Sequence, residues 1–272
     1  MKIIYNINMK QRLDKIVSIK NKDISRTKAQ SLIEGGFVLV DGKVITNVSY
    51  LVDEKNNIEL LRKNQYVSRG AYKLLGAIEN FGIDFSNRIV LDIGASTGGF
   101  SEVALEMGAK KVYAVDVGKG QLHEKLARND KVINLQERDF RSLDISEVSD
   151  VDIIIGDVSF ISLTKIFTHI KELFGSQTEM MFLFKPQFEC GPVVAKKYKG
   201  LIKNKDIHKN LLTNFEKFAN LLGFSFSGLA PSPIKGGDGN IEYLIYFSKD
   251  KHYKFNIDSV VDGAFSDKKE EL

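Results

Sequence analysis

Two charged residues close apolar runs in this sequence: Asp157 ends the run 152–157, and Lys185 ends 179–185. Open α/β sheets bind ligands beyond the carboxyl ends of their strands, so an aspartate that ends a core strand is a candidate site residue. A lysine in such a place is usually a solvated charge, but it can take up a proton when burial or a neighbouring cation lowers its pKa. A third feature is the turn Gly94-Ala95-Ser96-Thr97-Gly98-Gly99, which follows the apolar run 88–93. A dinucleotide turn wants glycine at its second fingerprint position, where backbone must approach a pyrophosphate. That position holds Ser96, so a cofactor without phosphate suits the turn better. Asp116 ends the next apolar run, 111–116, and is placed to accept both hydroxyls of a ribose. Asp139 follows the run 132–135; it either holds the adenine end of that cofactor or simply forms a turn. Phe160 and Phe188 stand beside these residues and can stack on a base, although core packing is expected of Phe160.

The elements that must position these residues follow from periodicity. Apolar Leu13, Ile16 and Val17 mark a helical face in 12–17. Ser25 is placed to cap a second helix whose buried stripe is Ala29, Leu32 and Ile33, and Gly35-Gly36 stops it. Asp41-Gly42, between 37–40 and 43–45, predicts a hairpin with a primed turn. A short strand at 58–61 completes a small α+β unit. Residues 62–69 are polar and basic and read as a linker. From Gly70 the pattern alternates between helix and strand. Strands are expected at 88–93, 111–116, 132–135, 152–157, 179–185 and 241–248, with helices at 100–107 and 207–222. This predicts a parallel sheet covered by helices on both faces. The charged end, 266–272, reads as a frayed tail.

Charge divides the chain. Among its 272 residues, Met1 to Lys73 carry 14 Lys+Arg against 7 Asp+Glu, while the whole chain is only +4. A basic front on a near-neutral body fits either a nucleic-acid contact region or an inert lysine-rich surface. Cys190 is the only cysteine, which excludes an internal disulfide. No apolar run reaches the roughly 20 residues of a membrane helix, and 1–10 has no signal-peptide pattern; a cytoplasmic protein is expected. The four histidines, His123, His169, His208 and His252, lack metal-ligand spacing, so no metal is expected.

The first unit resembles an S4 RNA-binding domain through Arg12-Leu13-Asp14, Ser25-Arg26, Ala29, Ile33, Gly36, Val38, Val40 and Gly42-Lys43. The body resembles an FtsJ-like ribose 2'-O-methyltransferase that uses S-adenosylmethionine. The carriers are 68–74 (Ser-Arg-Gly-Ala-Tyr-Lys-Leu), 91–100 (Leu-Asp-Ile-Gly-Ala-Ser-Thr-Gly-Gly-Phe), 157–162 (Asp-Val-Ser-Phe-Ile-Ser), 185–189 (Lys-Pro-Gln-Phe-Glu) and 239–243 (Gly-Asn-Ile-Glu-Tyr). In this order the two halves resemble the TlyA family, haemolysin-like by name; Ala71 departs from the family's usual glycine. The resemblance implies a small α+β S4 domain over 1–61, a linker over 62–69, a Rossmann-like class I methyltransferase domain (α/β) over 70–250 and a tail over 251–272. It implies a catalytic set Lys73, Asp157, Lys185 and Glu242, of which Lys73 and Glu242 would not be singled out from the residues alone. Lys185 would take the proton, Lys73 would be the second cation, Asp157 would orient the amine and the hydroxyl, and Glu242 would hold Lys73 or the ribose. It implies S-adenosylmethionine bound by Asp92, Gly94, Ala95, Ser96, Gly98, Gly99, Phe100, Asp116, Asp139 and Asp157. RNA would be bound through Arg12, Ser25, Arg26, Lys28, Lys43 and Arg69.

The partner so implied is ribosomal RNA or a ribosomal subunit, with a cytidine of large-subunit and possibly small-subunit RNA as target. The competing readings are an RNA-binding protein with an inactive methyltransferase fold, a nucleotide-dependent oxidoreductase, which Ser96 disfavours, and a membrane-lysing protein, for which no segment of membrane length is found.

Overall fold

The computed structural model describes residues 10–21, 24–53, 55–60 and 66–266, with the side chain of Ser31 left aside. The expected strand end Leu61, most of the expected linker (62–65) and the end 267–272 lie outside the described residues. The chain divides into two compact units, one up to Arg69 and one from Gly70 on.

In the first unit, β1 (Gln11–Arg12), α1 (Leu13–Lys20), α2 (Arg26–Glu34), β2 (Val38–Val40), β3 (Lys43–Val44), β4 (Leu51–Val52) and β5 (Ile58–Leu60) follow in order. Leu13, Val17, Ala29, Ile33 and Val38 are fully buried between the helices and the antiparallel sheet β3-β2-β5. Ser25 Oγ caps α2 by accepting the N–H of Lys28 at 3.2 Å. Asp41 (φ +51°) and Gly42 (φ +74°) are both left-handed, as a primed turn requires. The small pair β1–β4 has too few residues to show a period. Asp14 is fully buried and accepts from Arg12 twice at 3.1 Å, from Arg26 at 3.1 Å and from Gln30 at 2.8 Å. The Arg12 hydrogen bonds outweigh burial and hold its carboxyl below the ordinary range. The N–H of Arg69 donates to Gly35 O at 2.9 Å, so this end of the expected linker is fastened to the first unit.

The second unit runs α3 (Gly70–Phe81), β6 (Ile89–Ile93), α4 (Gly99–Glu106), β7 (Lys111–Val115), α5 (Glu124–Ala127), β8 (Val132–Leu135), β9 (Ile153–Gly156), α6 (Leu163–Phe174), β10 (Glu179–Phe184), α7 (Pro186–Glu189), α8 (Gly191–Lys197), α9 (Lys205–Leu221), β11 (Phe226–Pro231), β12 (Tyr243–Phe247) and α10 (Ile257–Ser266). Its sheet has the order β11-β12-β10-β9-β6-β7-β8. The sheet is mixed, not wholly parallel: β12 is antiparallel to both β10 and β11. All five residues of β12 are buried. Between the sheet and α6 and α9, the ring of Phe167 meets those of Phe182, Phe215, Phe224 and Phe247 at 5.0–5.4 Å. Residues 257–266, expected as tail, form α10 with Val261 fully buried.

Under the glycine turn, Asp92 of β6 is fully buried; Ser101 Oγ of α4 donates to its Oδ2 at 2.6 Å. Its Oδ1 has no partner among the described residues. Burial, reinforced by the charges of Asp157 and Asp116, pushes this carboxyl up to about 7. The unfolded chain would release the proton near pH 4. Between these values the unfolded chain has lost a proton that the folded chain retains, so stability falls as pH rises from about 4 to about 7. Asp92→Asn should flatten this fall. The check is the difference in thermal midpoint between variant and parent across that window, which should shift in the variant's favour as pH rises.

Candidate active site

Four strands deliver the site to one edge. Strands β6, β9 and β10 end there. Because β12 runs the other way, it begins there. Phe184 pairs with Tyr243, so Lys185 and Glu242 leave the sheet side by side. Ile93 pairs with Gly156, which sets Asp157 beside Gly94. A Cβ on Gly94 (φ +82°) would lie 3.0 Å from the carbonyl oxygen of Asp157, so only glycine lets the two strand ends come this close. Lys73 reaches the same edge from the first turns of α3.

The four residues implied as catalytic form one connected chain. Lys73 Nζ donates to Glu242 Oε2 at 2.7 Å and to Asp157 Oδ2 at 3.2 Å. Lys185 Nζ pairs with Asp157 Oδ1 at 2.5 Å. Lys73, Lys185 and Glu242 are each less than 10% exposed. Burial lowers the pKa of the Lys73 ammonium, but Asp157 and then Glu242 outweigh it, and the net direction is up. Burial likewise disfavours the Asp157 carboxylate, yet the charges of Lys185 and Lys73 hold it below its ordinary range. Asp157 thus stays ionised and Lys73 stays charged.

Two neighbours were not singled out as site residues from the sequence. Ser159 Oγ accepts from Lys185 Nζ at 2.8 Å. Gln187 Nε2 lies 3.4 Å from Glu242 Oε1, and its own buried Oε1 has no partner among the described residues. Each stands two positions beyond a strand-end charge, and that spacing was the available signal. Glu189 serves the fold, accepting from Ser162 Oγ and the N–H of Leu163 and so capping α6. Phe160, expected in the core, is 92% exposed with φ +63°. Its ring lies 5.0 Å from that of Phe188, which is itself 5.8 Å from Lys185 Nζ. Burial raises the pKa of the Cys190 thiol, which is set against thiolate chemistry.

At the turn, Ser96 adopts φ +49° and donates its N–H to Asp116 Oδ2 at 2.8 Å, while Gly118 N–H donates to Oδ1 at 2.7 Å. Asp116 therefore shapes the turn and keeps acceptor capacity for hydroxyl groups. Val117, next to it, is 72% exposed, an apolar surface that sequence reading passed over. Ala95, Gly99 and Phe100 are packed away from solvent, with Gly98 (φ +94°) starting α4. Asp139 accepts from the N–H and guanidinium of Arg141 as the cap of a one-turn helix, the turn-forming alternative; its neighbour Arg138 donates to Asp116 O at 3.0 Å. In the first unit, Arg12 and Arg26 meet at Asp14, Ser25 is occupied as a cap, and Lys28 and Lys43 are exposed. An acidic group beside an open turn, a partly exposed apolar neighbour and the buried, unpartnered Asp92 Oδ1 suit a nucleoside with a cationic, phosphate-free tail.

Comparison with known proteins agrees. Residues 66–249 match the FtsJ-like methyltransferase model and residues 11–58 the S4 domain model. The chain is 38% identical over 259 residues to the 23S rRNA (cytidine-2'-O)-methyltransferase TlyA of Campylobacter jejuni, covering 88% of this chain and 99% of that protein. It is 40% identical over 240 residues to Hemolysin A of Brachyspira hyodysenteriae, covering 87% and 99%. A solved structure from Streptococcus thermophilus that carries a hemolysin name superposes with a TM-score of 0.71 at 34% identity, over 94% of this chain and 95% of that one. No helix among the described residues is long and apolar enough to cross a membrane, and no group of three or more His, Cys, Asp or Glu among them can hold a metal. The connected lysines and carboxylates, the glycine turn and both domain matches converge: this chain belongs to the TlyA family, an S4 domain joined to an FtsJ-like, S-adenosylmethionine-dependent methyltransferase domain.

Proposed function

We propose that this chain methylates a ribose 2'-hydroxyl of ribosomal RNA, with a large-subunit cytidine as the target, in the cytoplasm where ribosomal subunits are found. The observation that carries this reading is the single carboxylate of Asp157 set between two buried ammonium groups, beside the glycine turn. S-adenosylmethionine supplies a methyl group made electrophilic by its sulfonium. Asp116 and the 94–99 turn would hold its nucleoside, with Val117 against the adenine.

The protein's own residues handle the hydroxyl. A ribose hydroxyl has a very high intrinsic pKa and must lose its proton as it attacks. Lys185 takes that proton once it has shed its own. Asp157 aims the Lys185 amine, and its charge remains matched by Lys73, which Glu242 fixes. Ser159 fixes the Lys185 amine from the other side. Much of the rate comes from holding hydroxyl and methyl in line. Phe160 and Phe188 offer the target base an aromatic surface. Arg12, Arg26, Lys28, Lys43 and Arg69 in the first unit engage RNA, and the two arginines Arg12 and Arg26 arrive already oriented by Asp14.

Three measurements test this reading. Asp116→Ala should weaken S-adenosylmethionine binding by roughly 1–3 kcal/mol, the scale of lost hydrogen bonds to a charged group; calorimetry that finds tight NAD binding and none of S-adenosylmethionine would overturn the cofactor assignment. Lys185→Arg keeps a cation but offers no free amine, since arginine stays protonated. It should lose about 100-fold or more in single-turnover methyl transfer, the scale of general-base catalysis, with cofactor and RNA still bound; a parental rate and pH profile would reduce Lys185 to an electrostatic clamp. Phe160→Ala, at an exposed position, should leave thermal stability unchanged and weaken RNA binding by about 1–3 kcal/mol, the value of one stacked base.

A further inference from the structure

From Cys190 to Asn204 the chain holds four lysines and no acidic residue. Lys196, Lys197, Lys199 and Lys203 are all solvent-accessible. Lys205, just beyond, is neutralised by Asp262 at 3.3 Å, whereas these four pair with no carboxylate among the described residues. Favourable interaction with the dipole of α8 accounts for Lys196 and Lys197, in its last turn. It does not account for Lys199 or Lys203, which lie past the helix.

The backbone here is held with unusual care for a surface loop. Lys199 adopts φ +51° and Gly200 φ +78°. A left-handed residue just past a helix is ordinarily glycine, because a side chain pays a steric cost there. This chain puts a lysine in that place. Asn240, 1% exposed, then grips the segment from beneath: its Nδ2 donates to Gly200 O at 2.8 Å, and its Oδ1 accepts the N–H of Ile202 at 3.0 Å. Buried His208 holds Ile202 O at 2.9 Å and the Tyr243 hydroxyl at 2.8 Å. Asn240 stands two residues before Glu242, and Asn240 O accepts from Gly236, whose added Cβ would lie 2.5 Å from Glu242 Oε1. At its other end the segment continues α7 and α8 from Lys185. The lysine row is therefore fastened at both ends to residues of the active site.

We infer that residues 196–203 form a second RNA-backbone surface, on the methyltransferase unit itself, in which Lys196, Lys197, Lys199 and Lys203 bind phosphates flanking the target ribose. This rests on the proposed reaction, because it is RNA that must lie across the site. The surface supplies affinity rather than chemistry: phosphates held there keep the flanking RNA on the methyltransferase unit, while Lys185 and Glu242 act on the ribose.

The test compares the full chain with the triple substitution Lys196→Ala, Lys197→Ala, Lys199→Ala and with the same three positions changed to Arg. Each phosphate contact contributes about 0.7–0.9 to the slope of log affinity against log salt. The Ala variant should lose about 2–3 from the slope of KM for ribosomal RNA and raise KM several-fold at about 150 mM salt, with kcat and S-adenosylmethionine affinity unchanged. The Arg variant should restore both KM and slope. An unchanged KM and slope in the Ala variant overturns the inference; so does a fall in kcat with no change in slope, which marks a structural role. If the parent methylates no ribosomal RNA, the proposed reaction fails, and the surface is judged separately by the salt slope for binding a labelled ribosomal RNA fragment.

Discussion

Two ammonium groups share one carboxylate in this enzyme, and the rest of the second unit is arranged to make that possible. Lys73 and Lys185 are nearly excluded from water. Without Asp157 between them they would be two buried like charges, and one amine would have to give up its proton. With it, and with Glu242 completing the balance, the cluster carries two positive and two negative groups. The reversed direction of β12 follows from this need. A parallel strand at that position would carry its far end, not its beginning, to the carboxyl edge, and Glu242 could not stand next to Lys185.

The first unit uses the same device for a different end. Asp14 is as buried as any hydrophobic residue of its core, yet its partners Arg12 and Arg26 are about half exposed. The carboxylate holds Arg12 through Nε and Nη2 and Arg26 through Nε, while both side chains stay open to solvent. The proposed RNA contact thus begins with side chains whose rotamers are already restricted, which lowers the entropy lost when a phosphate arrives.

Much of this was legible in the residues. Ser25 as a cap, Asp41-Gly42 as a primed turn and the apolar runs leading to Asp116, Asp157 and Lys185 each carry a local physical signal, and the structure follows them. Lys73 and Glu242 carry none: one sits in a helix, the other just before a strand, and only the family resemblance separated them from solvated charges. Strand β11 was missed because Phe-Ser-Gly-Leu-Ala-Pro has no β-branched residue. Its Gly228 serves a neighbour: an added Cβ would lie 2.7 Å from the ring of Phe81. The direction of β12 was hidden for a different reason. Periodicity reports burial, and a strand buried on both faces looks alike in either orientation. Phe160 went the other way, since composition assigns phenylalanine to the core and says nothing of a ring held outward by a left-handed backbone.

The bond between Lys73 and Glu242 closes a loop of 169 residues. Long loops are the slowest to close, because their ordering entropy is lost before the contact repays it. Neither end of this pair is reached by local structure: α3 can coil early, but its lysine meets the glutamate only after five parallel strands and the returning one have found their order. The proposed catalytic cluster is therefore a product of the finished topology. A chain arrested partway, however much of its helix and sheet had formed, would offer RNA its basic surfaces without a site to act on what they bind.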